Sequence, residues 1–142
     1  MEYVLKTENI SKVYGTHRAV NKINMHIEKG AIYGFIGKNG AGKTTFMRMV
    51  AGLATPTEGS MELFGSNDLE KQRKRMGTLI EHSGVYNNMT AKENLEIVRR
   101  ILGITEKKTV DEMLEFVGLG ATGKKKVKNF SIVIKKILGI AI

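Results

Sequence analysis

Apolar residues recur at two different periods along this chain, and the order of those periods predicts an alternating α/β fold. Strands are expected over residues 3 to 9 and 19 to 27, where Val20, Ile23, Met25 and Ile27 return at mostly two-residue spacing. A short buried strand is expected at Ala31 to Ile36. The period then changes: Phe46, Met49, Val50 and Leu53 fall at i, i+3, i+4 and i+7 and share one face of a helix running from about Lys43 to Gly52. Pro56, the only proline, lies in a turn ("ATPTEGS") that returns the chain to a strand at Met61 to Phe64, and Met76 to Ile80 is a further strand candidate. Thr90 to Glu93 and Thr109 to Glu112 both have capping-box spacing and each should open a helix. The second helix carries Val110, Met113, Leu114 and Val117 on one stripe and should stop at Gly118 and Gly120.

Between the expected strand at 31 to 36 and the expected helix lies "GFIGKNGAGKTTF", residues 34 to 46. Gly37-Lys38-Asn39-Gly40-Ala41-Gly42-Lys43-Thr44 matches G-x-x-x-x-G-K-[ST], the phosphate-binding loop of nucleoside triphosphatases. At average residue usage this pattern arises by chance in roughly one chain in two hundred of this length. Here it also falls between an apolar strand and an amphipathic helix, where its mechanism requires it. Glycines at 37, 40 and 42 remove Cβ atoms and permit unusual φ values, so backbone N–H groups can approach a polyphosphate closely. The helix that follows adds unpaired N–H groups and about half a positive charge at its N-terminus. Lys43 is expected to reach the β- and γ-phosphates, and the Thr44 hydroxyl to complete the oxygen shell of Mg²⁺. Gly37, Asn39, Gly40, Ala41, Gly42, Lys43, Thr44 and Thr45 are thus the predicted contacts for ATP and Mg²⁺. The dinucleotide pattern G-x-G-x-x-G is not met at Gly34 or Gly40.

Composition adds limits. Among 142 residues, 42% are hydrophobic and 26% charged, ordinary values for a globular chain. Cysteine is absent, which excludes disulfides and cysteine-ligated zinc and fits a reducing compartment. The first eight residues carry acids and no apolar core, so no secretory signal is expected, and the longest apolar stretch, Ile132 to Ile142, is interrupted by Lys135 and Lys136. The net charge is +9, but residues 1 to 120 hold 17 Lys/Arg against 14 Asp/Glu, while residues 121 to 142 hold six lysines and no acid. The excess belongs to the C-terminal segment. It is read as a solvated basic face, as is the cluster Lys71, Arg73, Lys74 and Arg75, although contact with phosphate, acidic lipid or an acidic partner is chemically open.

From "LKTENISKVYGTHRAVNKINMHIEKGAIYGFIGKNGAGKTTFMRMVAGLATPTEGSMELFG" through "MGTLIEHSGVYNNMTAKENL" to "VGLG" and "NFS", the chain resembles the ATP-binding subunits of ABC transporters. It is most similar to those that export, or confer immunity to, bacitracin-like and lantibiotic peptides. The resemblance implies an α/β P-loop NTPase nucleotide-binding domain of ABC type. Residues 1–30 and 56–66 would form an antiparallel β subdomain, 31–55 and 76–82 the phosphate-loop α/β core, and 90–142 part of a helical subdomain. It further implies that Tyr14 stacks on adenine, and that Glu81, at the position of a glutamine that contacts Mg²⁺ and the attacking water, serves as a metal ligand and catalytic residue beside Lys43. Transmembrane permease subunits and a second nucleotide-binding subunit would be the partners, at the inner face of the cell membrane, with no nucleic acid expected. His17, His26 and His82 receive no role.

The departures from the pattern are local. The family signature, Leu-Ser-Gly-Gly-Gln or Phe-Ser-Leu-Gly-Met, is represented by Phe130-Ser131-Ile132-Val133-Ile134, with β-branched Val133 where glycine would allow close approach to phosphate. The family's Asp-Glu strand end and switch histidine have no counterpart in these residues, so the sequence reads as an incomplete domain. Two alternatives to a working ATPase subunit therefore stay open at this stage: a nucleotide-binding module without turnover, and an ATPase linked to nucleic acid through the basic segment.

Overall fold

The computed structural model describes residues 2–81 and 84–142; His82 lies outside the described residues. Contacts divide the chain into two compact units, Met1–Ile80 and Glu81–Ile142.

The first unit is built on an antiparallel sheet of three strands in the order β2-β1-β3: β1 (Tyr3–Tyr14), β2 (His17–Glu28) and β3 (Glu58–Leu63). Two-residue periodicity places one row of side chains on the inner face, with Leu5 opposite Ile27 and Leu63, and Thr7 opposite Met25 and Met61. Gly15 at φ +55° begins the two-residue turn that joins β1 to β2. The register shifts between Thr7 and Ile10, where Asn9 (φ +48°) falls in a bulge of β1, and again between Ile10 and Lys12, where Lys22 (φ +46°) falls in a bulge of β2. Buried Ser11 satisfies the distorted ladder: its hydroxyl accepts from Lys22 N at 2.9 Å and donates to the Asn9 carbonyl at 3.3 Å. Thr7 does the same one step away, accepting from Met25 N and donating to the Ile23 carbonyl.

Helix α1 (Lys43–Val50) packs Phe46 and Met49 onto this sheet, completing a core with Leu5, Ile10, Val20, Met25, Met61 and Leu63. Ile10 and Met49 are wholly enclosed, and each contributes about 1.5–3 kcal/mol by its burial. A short helix, α2 (Leu69–Arg73), is capped by the Asp68 carboxylate.

The expected strands at 31 to 36 and 76 to 80 are not formed. Both segments lack ladder pairing because no strand among the described residues lies beside them, and a strand without a partner leaves its backbone groups to water. Ile32 and Ile36 are fully exposed. Tyr33 and Phe35 instead border an apolar hollow of about 240 Å³ with Met25, Phe46, Leu79 and Ile80.

The second unit contains α3 (Ala91–Ile101), α4 (Lys108–Phe116) and α5 (Ile132–Ala141), with 3₁₀ turns at Gly120–Thr122 and Val127–Asn129. Its core gathers Ala91, Leu95, Val110, Leu114, Leu119, Val127, Phe130 and Leu138. The capping box at α3 is complete: Thr90 Oγ1 accepts from Glu93 N at 3.1 Å, and the Glu93 carboxylate accepts from Thr90 N at 2.7 Å. Hydrogen bonds from Thr90, its backbone N–H first and then its side chain, hold the Glu93 carboxyl below the usual carboxylate range. Buried Asn94 closes the approach to the helix by bonding both backbone groups of Tyr86 and the Thr90 carbonyl. No equivalent box forms at Thr109. α4 starts two residues earlier than a Thr109 cap would place it, at Lys108, with Thr109 inside its first turn, and the nearby carboxylates are engaged by Lys108 (Glu112, 3.6 Å) and Lys92 (Asp111, 2.6 Å).

Three helices end alike. Gly52, Gly103 and Gly118 adopt φ of +81°, +69° and +72° after α1, α3 and α4, and the next residue's N–H returns to the third-last helical carbonyl in each case. The stop expected at Gly118 is therefore observed.

Candidate functional site

The loop from Gly37 to Thr45 joins the exposed 31–36 segment to the N-terminus of α1. Gly42 is the residue before the first helical turn, at φ +88°, and no side chain caps the helix there. An α-helix leaves its first N–H groups without internal acceptors. The amides at Lys43, Thr44 and Thr45 are therefore available to an anion, and the first turn carries no acid to compete. Gly40 also sits in the left-handed region, at φ +79°.

The three glycines prove unequal. A Cβ at Gly42 would collide with the Ala19 carbonyl oxygen and come within 3.3 Å of Val20 Cγ2. This close approach seats the start of α1 against β2. A Cβ at Gly40 would meet nothing within 4 Å, so only its φ requires glycine. Gly37 needs neither exemption: its φ is not positive, and a Cβ there would lie an ordinary 3.5 Å from Ala41 Cβ. The expectation of unusual φ holds at 40 and 42 and fails at 37.

Lys43 folds back across the loop. Its Nζ donates to the carbonyls of Gly37 at 2.5 Å and Lys38 at 2.7 Å. The ammonium is thus held at the loop by two oxygens that phosphate oxygens can replace. Ala41 N–H donates to Lys38 O at 3.2 Å and tightens the turn from within. The donor set of helix amides, one ammonium and the Thr44 and Thr45 hydroxyls suits a polyphosphate. It suits Mg²⁺ only as a partner of that polyphosphate, since among the described residues no group of three His, Cys, Asp or Glu is placed to hold a metal alone.

Tyr14 stands at the hairpin end of β1, half exposed, with Lys12 Nζ 4.9 Å from its ring centroid. The hairpin runs on to Ala19, whose carbonyl abuts Gly42, so the same hairpin that carries Tyr14 also supports the loop. Glu81, the first residue of the second unit, has a left-handed backbone at φ +64°, a strained state for a residue with a side chain. In that unit Ser131 caps α5, accepting from Ile134 N at 3.3 Å, and Val133 points into solvent from its first turn.

One supporting residue carried no distinguishing signal in the sequence. Arg73, read there as one of four solvated cations, donates through Nε to the Val50 carbonyl at 2.9 Å and through Nη2 to the Met49 carbonyl at 3.1 Å. It thereby caps the C-terminus of α1 with a charge of the favourable sign. Gly52 makes room for it, because a Cβ there would lie 2.9 Å from the guanidinium. Arg75 is engaged as well, 4.1 Å above the Phe64 ring and bonded to Gln72.

Comparison with known proteins extends these observations. The ABC transporter family matches residues 20–142. The bacitracin transport ATP-binding protein BcrA of Bacillus licheniformis is 45% identical over 99% of this chain and 47% of its own length. The lantibiotic transport ATP-binding protein SrtF of Streptococcus pyogenes is 40% identical over 98% of this chain and 60% of its own length. The chain spans about half the length of the curated relatives it matches. Among solved structures, cbiO1 from Clostridium perfringens, part of the ABC transporter complex cbiONQ, superposes with a TM-score of 0.81 at 22% identity, covering 99% of this chain and 61% of its own. An ATP binding subunit of an ABC transporter superposes with a TM-score of 0.78. Because the match takes in the helical unit as well as the glycine loop, it reaches beyond what phosphate-loop proteins share in general, and the chain belongs to the ABC transporter family.

Proposed function

We propose that this chain binds Mg²⁺-ATP in the 37–45 loop and belongs to the energising ATPase subunit of an exporter of, or resistance system against, bacitracin-like and lantibiotic peptides. The observation that carries the reading is the loop itself: an uncapped helix N-terminus entered through left-handed Gly42, with Lys43 already drawn across its mouth. On this reading Lys43 exchanges the Gly37 and Lys38 carbonyls for β- and γ-phosphate oxygens, and the amides of Gly40 and of 42 to 45 bond the remaining oxygens. The Thr44 hydroxyl and the Glu81 carboxylate are the oxygen donors assigned to Mg²⁺, which when bound offsets phosphate charge. The strained backbone at Glu81 supports a functional role at that position. Tyr14 offers its exposed ring to adenine.

The peptide class is supported by the similarity to bacitracin and lantibiotic transport subunits and by Glu81 in place of glutamine, an exchange similar to that of the peptide-immunity subunits. Permease subunits and a second nucleotide-binding subunit are the partners this function needs, and the location is the inner face of the membrane. Calorimetry with Mg²⁺-ATP tests the core of the proposal. Lys43→Ala should weaken binding by about 1.5–3 kcal/mol, roughly tenfold to 150-fold, through loss of a charge-assisted contact. Equal affinity in the two proteins would remove the role assigned to Lys43.

A further inference from the structure

The lysines after Glu115 are not a loose tail. Residues 124–130 run against residues 87–90: Val127 N–H donates to the Met89 carbonyl at 2.9 Å, Lys128 N–H to the Asn87 carbonyl at 2.7 Å, and Lys126 forms an isolated bridge with Thr90. Val127 and Phe130 are buried as anchors, while Lys124, Lys125, Lys126 and Lys128 are exposed between and before them. The backbone thus holds four ammonium groups on a fixed ledge. Among the described residues none of these four lysines forms a salt bridge, and the acid that acts on the ledge electrostatically is Glu93, toward Lys126, with its carboxylate already bonded to Thr90 N–H. Lys125 leans toward the Phe130 ring, 5.9 Å from its centroid.

We propose that this ledge is an interaction surface for anionic lipid headgroups. Its four cations, like the two further on at Lys135 and Lys136, are all lysine. The chain places arginine where fork geometry is used: Arg18 on Glu58, Arg73 on two carbonyls, Arg99 and Arg100 on Glu96. Compact ammonium charges without that geometry suit the diffuse potential of a charged lipid plane better than base edges or a single phosphate, which favour planar, stacking guanidinium groups. Because the ledge is ordered in advance, little conformational freedom is lost on contact. An acidic bilayer is also where the proposed ATPase subunit would work, although the charge argument stands without that reading.

Co-sedimentation of the 142-residue chain with phosphatidylcholine vesicles, and with vesicles containing about one-third phosphatidylglycerol, tests the surface. The expected result is at least a roughly tenfold preference for the anionic vesicles at low salt, lost on raising the salt to about 0.5 M. Lys124→Gln with Lys128→Gln should abolish most of the preference, while Lys71→Gln with Lys74→Gln, equal in charge but placed on α2 and at its C-terminal cap, should leave it. Equal losses in the two double variants would assign the effect to net charge and overturn the ledge. Binding to a 30-base-pair duplex as tight as to the anionic vesicles would overturn the choice of lipid. If the ledge variant fails to fold, the salt titration of the parent chain still decides, since salt-insensitive vesicle binding contradicts the proposal.

Discussion

Gly42→Ala, compared with Gly40→Ala, separates two reasons for a glycine in the loop. Both positions are left-handed, at φ +88° and +79°, so a Cβ at either costs about 1–2 kcal/mol in backbone strain. Only at Gly42 does the Cβ also meet a wall, the Ala19 carbonyl of β2 with Val20 Cγ2 behind it. Because the obstacle is backbone rather than the end of a flexible side chain, α1 or β2 must shift, and overpacking of this kind costs a further 1–3 kcal/mol or so. Gly42→Ala should therefore lose roughly 2–5 kcal/mol and Gly40→Ala roughly 1–2. Against a stability of about 5–15 kcal/mol for a domain, the first variant approaches unfolding and the second does not. Urea unfolding followed by far-ultraviolet circular dichroism measures the difference, provided the slopes agree. Equal midpoints for the two variants would refute the close approach of α1 to β2.

Two further outcomes are expected. The Glu96 carboxyl is held at about 2 by hydrogen bonds from Arg99 and then Arg100, well below its ordinary value of 4.5. Because the folded value lies below the unfolded one, its stabilisation is present above about pH 4.5 and is lost as pH falls toward 2; acid unfolding of Glu96→Gln should show a shallower dependence on pH across that window, and a parallel curve would count against the pairing. Arg73→Met should destabilise the first unit by about 1–2 kcal/mol by releasing the Met49 and Val50 carbonyls, read as a lower thermal midpoint with native circular dichroism; an unchanged midpoint would show the cap to be dispensable.

Much of this architecture was legible in the residues, for reasons that differ by element. The hairpin and α1 were visible because each has one buried face, which imposes its period on the sequence. The loop was visible because phosphate chemistry tolerates few residue types at fixed spacing. The segments at 31–36 and 76–80 read as strands because their apolar content matches a buried strand, yet pairing depends on neighbours that a local pattern cannot reveal. The box at Thr109 failed for a related reason: Asp111 and Glu112 are engaged by Lys92 and Lys108. Arg73 was indistinguishable from Arg75 because its role depends on a glycine 21 positions earlier and on carbonyls of a different helix. The lysine ledge looked like a tail for the same reason, since hydrogen bonds to Asn87 and Met89 leave no mark in composition.

The central claim is that backbone N–H groups between Gly37 and Thr45 grip a triphosphate. Amide chemical shifts of the labelled chain, followed during titration with Mg²⁺-ATP, test it most directly. The largest changes should fall on Gly40, Gly42, Lys43, Thr44 and Thr45 and saturate together. Saturable changes centred on another part of the chain, with these amides unmoved, would contradict it.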